Sequence, residues 1–327
     1  MKRILILIVA LSFVCILETG IIPVPANAKA KFVNIGTGSV AGAYFSMGNA
    51  IAKVVNEKRA NYGITVITET RPGAVERIKS IMAGDLAFGF IRSDNLYQAA
   101  YGLAEWKGKG PQEDLRAVFS STIASITLVA AVDAEIKNIR DLGRKRVNIG
   151  TPGSVHRQHA IDALNAIGID YTKDLKAEEI RASASPPRLQ DGRIDAFFCT
   201  VRHPSALVMQ AEAGIRKVRL VTINDVEEFL KEHPYYVKSF ISHEYYKGFA
   251  NDSDIETFGI KDTFIASAKL PDDIVFTFTK AVFDNINSLR KLQPAFQFLT
   301  KKGMLEGLPA PIHPGAIKYY KEVGLLK

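Results

Sequence analysis

The sequence predicts an α/β protein of two lobes, each with a mostly parallel sheet flanked by helices, and with hinge-crossing strands between the lobes. Three observations lead to this prediction. A unit of strand, glycine-rich loop and helix occurs twice along the chain. Each copy is followed by a second matching segment, in which a helix end precedes a buried strand. The chain of 327 residues also exceeds what one hydrophobic core usually organises.

The first copy of the repeat begins at Val33 with the sequence VNIGTGSV. Residues 32–35 have the pattern of a strand, residues 36–43 form a glycine-rich loop, and residues 44–56 have the apolar spacing of a helix. Another loop, residues 70–74, precedes a second amphipathic helix. Strands that alternate with helices are parallel, so these loops should open at the carboxyl ends of the strands, where ligands bind.

The second copy begins at Val147 with the sequence VNIGTPGSV. It predicts a strand over residues 146–149 and a helix over residues 155–167 that ends at Gly168. The matching downstream segments are AGDLAFGF from Ala83 and DGRIDAFF from Asp191. Two similar half-structures are therefore expected to face each other across a cleft.

Two further apolar runs are predicted to connect the lobes as hinge strands, near residues 126–132 and 257–266. They divide the chain into a first lobe of residues 29–122 and 266–327 and a second lobe of residues 123–265. The loops of both lobes would then line the cleft.

The amino terminus predicts export to the periplasm. A basic start, an apolar run over residues 4–17 and the triplet Ala26-Asn27-Ala28 have the order of a secretory signal peptide, residues 1–28, with cleavage after Ala28. The apolar run is shorter than a membrane-spanning helix requires. Removal of this leader leaves Cys199 as the remaining cysteine, which we interpret as a buried core thiol.

Composition and charge exclude several classes of function. The formal net charge is +8, but the lysines and arginines are spread along the chain among nearly as many acidic residues. This distribution argues against a nucleic-acid-binding protein. The first loop resembles a dinucleotide fingerprint, but its glycines are spaced one residue too widely, and nicotinamide cofactors are not normally available to an exported protein. We expect a monomer without a cofactor.

Four arginines follow predicted strands or begin a predicted helix near the cleft: Arg71, Arg92, Arg157 and Arg202. A guanidinium pairs with a carboxylate through two parallel hydrogen bonds, and free amides at helix starts also attract anions. These features predict a small anionic ligand. The alternatives are solvated surface arginines and glycines that only form tight turns.

No convincing catalytic or metal site is predicted. His156 and His159 lie three residues apart on one predicted helix, but a third metal ligand at suitable spacing is missing, which favours a capping or surface role. Ser288 and Lys291 match a short hydrolase pattern whose companion motifs are absent. We therefore expect a binding protein and not an enzyme.

Several motifs in order carry a resemblance to a known family. They are Gly36-Thr37-Gly38 with Gly42, Ala43 and Tyr44, the segments 141–147 and 150–154, the run Asp195-Ala196-Phe197-Phe198, and His313-Pro314-Gly315-Ala316 with Tyr319, Tyr320 and Glu322. Together they resemble the TAXI-type solute receptors of tripartite ATP-independent periplasmic (TRAP) transporters over essentially the whole chain after the leader.

The resemblance implies a type II periplasmic-binding-protein fold and delivery of the ligand to the TRAP transporter membrane permease subunits. Family members are associated with glutamate, glutamine and related dicarboxylates. On matching positions, the resemblance implies ligand contacts at Thr37, Gly38, Ser39, Tyr44, Gly73, Ala74, Gly153, Ser154 and Val155, with Tyr245 or Tyr246 near the returning segment.

This chain departs from the family pattern at several positions. Residues 73–77 read GAVER where G-S-V-E-N is usual, so a hydroxyl is lost. Arg92, Arg202 and His203 stand where uncharged or small residues are usual. These changes predict a ligand with more negative charge than a plain amino acid, such as a dicarboxylate.

Two other functions stay open at this point. The same fold serves receptors of ATP-driven importers and of sensor systems, which the fold alone cannot separate. An exported α/β enzyme is the third possibility, and it would need a nucleophile with a base, or a metal, in the cleft.

Overall fold

The computed structural model describes residues 31–327. The predicted signal peptide, residues 1–28, and its cleavage after Ala28 lie outside the described residues. Over residues 31–327, no helix is both long enough and apolar enough to cross a bilayer.

The strands of the described residues include those predicted at residues 32–35 and 146–149 and near residues 126–132 and 257–266. They are β1 Lys31–Thr37, β2 Ile64–Thr70, β3 Phe88–Arg92, β4 Leu115–Ala131, β5 Arg146–Asn148, β6 Lys176–Glu178, β7 Ala196–Val201, β8 Val218–Val221, β9 Tyr236–Ile241 and β10 Ile255–Ser267.

Helices separate most of these strands. They are α1 Ala43–Glu57, α2 Arg59–Tyr62, α3 Ala74–Ala83, α4 Ser93–Ala100, α5 Val155–Asn165, α6 Ser185–Gln190, α7 Ala206–Glu212, α8 Glu227–Glu232, α9 Asp272–Asp284, α10 Ile286–Leu292 and α11 Pro314–Glu322.

The strands form one mixed sheet in the order β2-β1-β3-β10-β4-β7-β5-β6, with β8 beside β4 and β9 beside β10. β1 runs parallel to β2 and β3, and β5 runs parallel to β6 and β7, as the strand–helix repeat predicts. β4 and β10 are antiparallel to each other and to their neighbours. The predicted two-lobed α/β fold is confirmed, and these two strands add its antiparallel part.

Glycines and a capping serine set the helix bounds in both halves of the chain. α3 begins after Gly73, with φ of 85°, and ends before Gly84, with φ of 83°; glycine adopts this left-handed region without a steric penalty. α5 begins after Ser154, whose side chain accepts a hydrogen bond from the backbone amide of Arg157. The predicted loop positions are therefore real helix starts.

The buried side chains form three clusters. One cluster contains only residues between Ala124 and Ile260, and it is the core of the second lobe. The other two belong to the first lobe and include Phe264 and Ile265 respectively. Because successive strand residues point to opposite faces, these two clusters cover the two faces of the first-lobe sheet.

β4 and β10 extend through both lobes and are longer than the sequence indicates. β4 begins at Leu115 and not at Ile126, because the polar run Ser120-Ser121-Thr122 interrupts the apolar pattern by which a strand is detected. The core clusters change within β4 between residues 119 and 124, and within β10 between residues 260 and 264. The exact lobe boundaries given above stay predictions.

Candidate functional site

A buried carboxylate lies where β10 passes between the lobes. Asp262 is 1% exposed and accepts hydrogen bonds from the Tyr44 hydroxyl at 2.6 Å, from the Thr122 hydroxyl and from the Arg202 guanidinium. These partners come from α1, from β4 and from the segment after β7. Asp262 therefore connects the first lobe, both long strands and the second lobe at one point.

Tyr44 is held between aromatic and cationic groups. Its ring stacks on Phe90 at 5.4 Å, and the guanidinium carbons of Arg77 and Arg202 lie 5.4 and 5.7 Å from its ring centroid. Burial and the Asp262 carboxylate raise the pKa of Tyr44 well above its ordinary value. The hydroxyl is thus a permanent hydrogen-bond donor to Asp262.

Arg77 fixes the first-lobe loop of residues 70–74. It is 5% exposed, and its guanidinium donates to the backbone carbonyls of Phe90 at 2.8 Å and Arg71 at 2.7 Å. Arg77 therefore ties the loop before α3 to the end of β3.

The two lobes also approach each other at a second buried carboxylate, Asp94. Arg92 donates to both carboxylate oxygens of Asp94, at 3.0 and 2.8 Å, and Nε2 of His159 in the second lobe lies 3.6 Å from Asp94. Burial alone would raise the pKa of Asp94, but the nearby His159 and the hydrogen bonds and charge of Arg92 outweigh it and lower that pKa to about 2. The carboxylate therefore stays ionised.

A pocket of about 400 Å³ opens between the lobes at this contact. The first lobe contributes Arg92, Asp94, Asn95, Gln98, Ala104 and Glu105, and the second contributes residues 153–155, 157–159 and 161. The structure thus brings together the predicted site residues Arg92, Gly153, Ser154, Val155 and Arg157. The first-lobe loops of residues 36–43 and 70–74 do not line this pocket.

A second pocket, of about 500 Å³, lies on the second lobe at the carboxyl ends of β5 and β6. Its polar side chains are Thr151, Ser154, His156, Arg181, Ser183 and Gln210, and no residue that lines it carries a carboxylate. Sequence reasoning missed Arg181, which lies three residues after β6, because it did not predict that strand.

A third pocket, of about 140 Å³, lies at the junction of the lobes. Its polar lining is Ser121, Thr122, Arg202, His203 and Lys261, and Ile123, Ala295, Phe298 and Leu299 contribute apolar surface. Lys261 was not among the predicted site residues.

Each of the four predicted arginines is already paired with a carboxylate. Arg71 lies 3.2 Å from Glu69 and Arg92 lies 2.8 Å from Asp94, while Arg157 contacts Glu179 and Arg202 contacts Asp262. These pairs compensate the charge of the arginines. An anionic ligand would therefore have to share each guanidinium with an internal acid.

The remaining predicted residues occupy different environments. Thr37 is fully buried and its hydroxyl donates to the Glu69 carbonyl, Ser39 and Gly73 are exposed, and Gly38 and Ala74 are half-buried. Tyr246 is 1% exposed, so it packs inside the second lobe.

Tyr246 belongs to a hydrogen-bond chain that fixes His203. The Tyr246 hydroxyl accepts a hydrogen bond from the amide of Ser205 at 2.8 Å and lies 2.6 Å from His203 Nδ1. On the other side of the ring, His203 Nε2 lies 2.8 Å from the Thr127 hydroxyl. That hydroxyl donates its own proton to the Ser125 carbonyl. All of these groups are satisfied when Nδ1 accepts the Tyr246 proton and Nε2 carries the ring proton and donates it to Thr127. The imidazole is therefore neutral, and burial lowers the pKa of His203 to about 4.

His203 should make the protein less stable in acid. The unfolded chain protonates this residue near pH 6.5, whereas the folded protein does so at about 4, so the unfolded state binds more protons between these values. The free energy of unfolding contributed by this group should fall as the pH drops through that window, by at most about 1.4 kcal/mol per pH unit. Urea unfolding of wild type and His203→Gln at pH 7, 6, 5 and 4.5 tests this, and an unchanged pH dependence in the variant would contradict it.

His156 and His159 do not form a metal site with each other. His156 Nδ1 accepts from the Thr200 amide at 3.1 Å, and His159 Nδ1 lies 3.0 Å from the Thr200 hydroxyl. Both rings are thereby tied to the end of β7. Within residues 31–327, no group of three histidine, cysteine or acidic side chains is arranged to hold a metal ion.

The two lobes, the long strands that join them and the pockets at their junction define a two-lobed protein of the periplasmic-binding-protein fold. The chain belongs to the NMT1-like family, which matches it over residues 35–324.

Solved structures are similar at low identity. A TctC solute binding protein from Polaromonas is 17% identical, with 91% of this chain and 100% of that chain covered and a TM-score of 0.57, so it shares the fold. The periplasmic aliphatic sulphonate binding protein SsuA from Escherichia coli is 15% identical, over 83% of this chain and 80% of that chain, with a TM-score of 0.47. PhnD1 from Prochlorococcus marinus, in complex with methylphosphonate, is 11% identical, with 91% of this chain and 100% of that chain covered and a TM-score of 0.44.

Proposed function

We propose that this protein is a periplasmic solute-binding protein that captures a small anionic metabolite between its lobes and delivers it to a membrane permease. The observation that carries the proposal is the pocket lined by Arg92 of the first lobe and by Ser154 and Arg157 of the second. A ligand there touches both lobes at once. The names of the similar solved proteins, which include a sulphonate-binding protein and a TctC solute binding protein, agree with this class of function.

Closure of the lobes around the ligand is the proposed mechanism. A ligand that contacts both lobes gains contacts in the closed form that the open form lacks, and it therefore shifts the population toward the closed form. β4 and β10 remain continuous between the lobes, so rotation is confined to the short stretch where the core clusters change. A permease would then recognise the closed form.

The proposed ligand is a glutamate-like amino acid or a dicarboxylate. Arg92 and Arg157 have donors left after pairing with Asp94 and Glu179, because a guanidinium carries five N–H donors. Arg181 adds a cation to a pocket without carboxylates. An acidic ligand would gain charge-assisted hydrogen bonds from these groups, which are stronger than those between neutral partners.

The proposed partner is the TRAP transporter permease, since the motifs of the chain resemble TAXI-type receptors. We expect a monomeric receptor without a cofactor, exported by the predicted leader. A receptor of an ATP-driven importer or of a sensor system is the second candidate, and a neighbouring gene for a large fused permease would favour the TRAP assignment.

An enzymatic role has less support. Cys199 is 1% exposed and burial raises its pKa to about 12, so its thiol is not a nucleophile near neutral pH. The histidines of the cleft are tied to Thr200, Thr127 and Tyr246.

Ligand binding should stabilise the folded protein measurably. Mature protein is refolded to remove any carried ligand and is then heated with amino acids, dicarboxylates, oxo acids or sugar acids. A ligand at about 100 times its Kd should raise the free energy of unfolding by about 2.7 kcal/mol, which corresponds to a few degrees in Tm. Turnover of a ligand that binds would contradict the proposal and favour the enzyme.

The arginine variants test the expected ligand class. Arg71→Ala, Arg92→Ala, Arg157→Ala and Arg202→Ala are titrated with the ligand found, with exposed Arg193→Ala as a charge-matched control. At least one of the four should lose affinity. Unchanged affinity in all four would show that the arginines do not bind the ligand.

A further inference from the structure

The small pocket at the junction of the lobes contains a lysine in an unusual environment. Lys261 lies in β10, is 8% exposed, and is followed by Asp262, whose side chain is engaged with other groups. Gly307 leaves room for the aliphatic part of this lysine, since a Cβ atom there would lie 2.8 Å from Lys261 Cγ. The lysine is therefore accommodated deep in the protein and not spread over its surface.

No acidic side chain of the described residues forms a salt bridge with the ammonium group of Lys261. Among residues 31–327, the charges of Glu306 and Asp262 act on Lys261 only from beyond hydrogen-bond contact, and burial lowers the pKa of the amine. Burial of an unpaired charge is costly, so such groups are usually paired or serve a ligand. This distinguishes Lys261 from the four paired arginines.

A second cationic side chain with a free donor, Arg202, lines the same pocket. Arg202 uses Nε and Nη2 to bind Asp262 and Thr122, so Nη1 remains available. The hydroxyls of Ser121 and Thr122 already donate to the Asp262 carbonyl and carboxylate. The pocket therefore presents two cationic donor groups against one internal carboxylate, and it has a net positive charge.

Size and lining limit what this pocket can hold. Its volume of about 140 Å³ is smaller than that of the other two pockets and suits the head group of a small molecule. Ile123, Phe298 and Leu299 contribute an apolar wall, and Phe298 contacts Tyr245 of the second lobe with ring centroids 6.0 Å apart. A group bound here would again contact both lobes.

We infer that Lys261, with Arg202 Nη1, forms an oxyanion subsite that holds the carboxylate, sulfonate or phosphate head of the captured solute. This inference rests on the proposed function, because it assigns the anionic end of the captured solute to a position between the same two lobes. It adds to the paired arginines a lysine that composition and motifs do not single out.

The test compares wild type, Lys261→Met and Lys79→Met, in which the control removes an exposed lysine of α3. Each refolded protein is titrated with L-glutamate, with glutarate and with sodium sulfate at constant ionic strength, by calorimetry and by thermal unfolding. Loss of a charge-assisted hydrogen bond should weaken binding of the organic anion about tenfold or more in Lys261→Met, and less than about twofold in the control.

The unliganded variants supply a second measurement. Methionine keeps the aliphatic part of the side chain and removes the buried charge, so ligand-free Lys261→Met should unfold at the same or a higher temperature than wild type. A purely structural lysine would give a lower unfolding temperature instead, and that result would overturn the inference.

The remaining outcomes separate the two proposals. Wild-type affinity for the organic anions in Lys261→Met would overturn the subsite and leave the proposed function intact. Lys261-dependent binding of sulfate alone would support an oxyanion site for a free anion and would remove the assignment to the solute head. If no probe, sulfate included, binds wild type, the subsite is wrong.

Discussion

Replacement of Asp262 by alanine is expected to lower the free energy of unfolding by about 3 to 5 kcal/mol. The carboxylate is 1% exposed and accepts from Tyr44, Thr122 and Arg202. Its removal leaves the Arg202 guanidinium, 35% exposed, without a counter-charge and leaves the Tyr44 hydroxyl without an acceptor. Partial access of water to Arg202 places the loss toward the lower end of this range.

Urea unfolding at pH 7 measures this loss, and two further variants make it specific. Asp273→Ala removes the exposed partner of Lys31, 2.6 Å away, and should cost less than about 1 kcal/mol. The double variant Asp262→Ala with Arg202→Met should be more stable than Asp262→Ala alone, because it no longer leaves an unpaired cation. A single-variant loss no larger than that of Asp273→Ala would show that the ionic cluster does not hold the junction together.

Replacement of Phe264 by alanine is expected to cost about 3 to 5 kcal/mol. Its ring is fully buried and its centroid lies 4.8 Å from Phe119, 4.9 Å from Phe90, 5.2 Å from Phe278 and 5.3 Å from Phe88. Alanine would leave a cavity that these rings can close only in part. Because Phe264 lies two residues after Asp262 in β10, its packing also holds the carboxylate in position.

The same unfolding experiment applies, with variants that separate cavity size from general disturbance. Phe264→Leu keeps most of the apolar volume and should cost less than Phe264→Ala. Phe32→Ala removes a side chain that is 77% exposed and should change stability by less than about 0.5 kcal/mol. Equal effects for Phe264→Ala and Phe32→Ala would contradict the packing argument.

Some of the residues that the motifs single out lie together in the structure. The glycine-rich loops begin α1 and α5, and Arg92, Gly153, Ser154, Val155 and Arg157 line one pocket between the lobes. These residues were predictable because position after a parallel strand also fixes which end of the sheet a side chain reaches. Their roles as ligand contacts stay predictions.

The junction residues were not predictable in the same way. Thr122, Lys261 and Asp262 lie inside long strands, where a sequence pattern indicates only that the segment is extended. Their partners, Tyr44 and Arg202, are distant in sequence. No local pattern could pair Arg202 with Asp262, or leave Lys261 unpaired, before the two strands were placed side by side.

The sequence by itself determined the two-lobed α/β fold, the position of the loops at the strand ends and the abundance of arginine near the cleft. It did so because strand and helix periodicity, glycine at turns and repetition are local properties of the chain. Only the tertiary structure decided which cations are compensated, because charge compensation depends on which carboxylate lies within a few ångströms. That physical distinction assigns the paired state to Arg71, Arg92, Arg157 and Arg202 and the unpaired, buried state to Lys261.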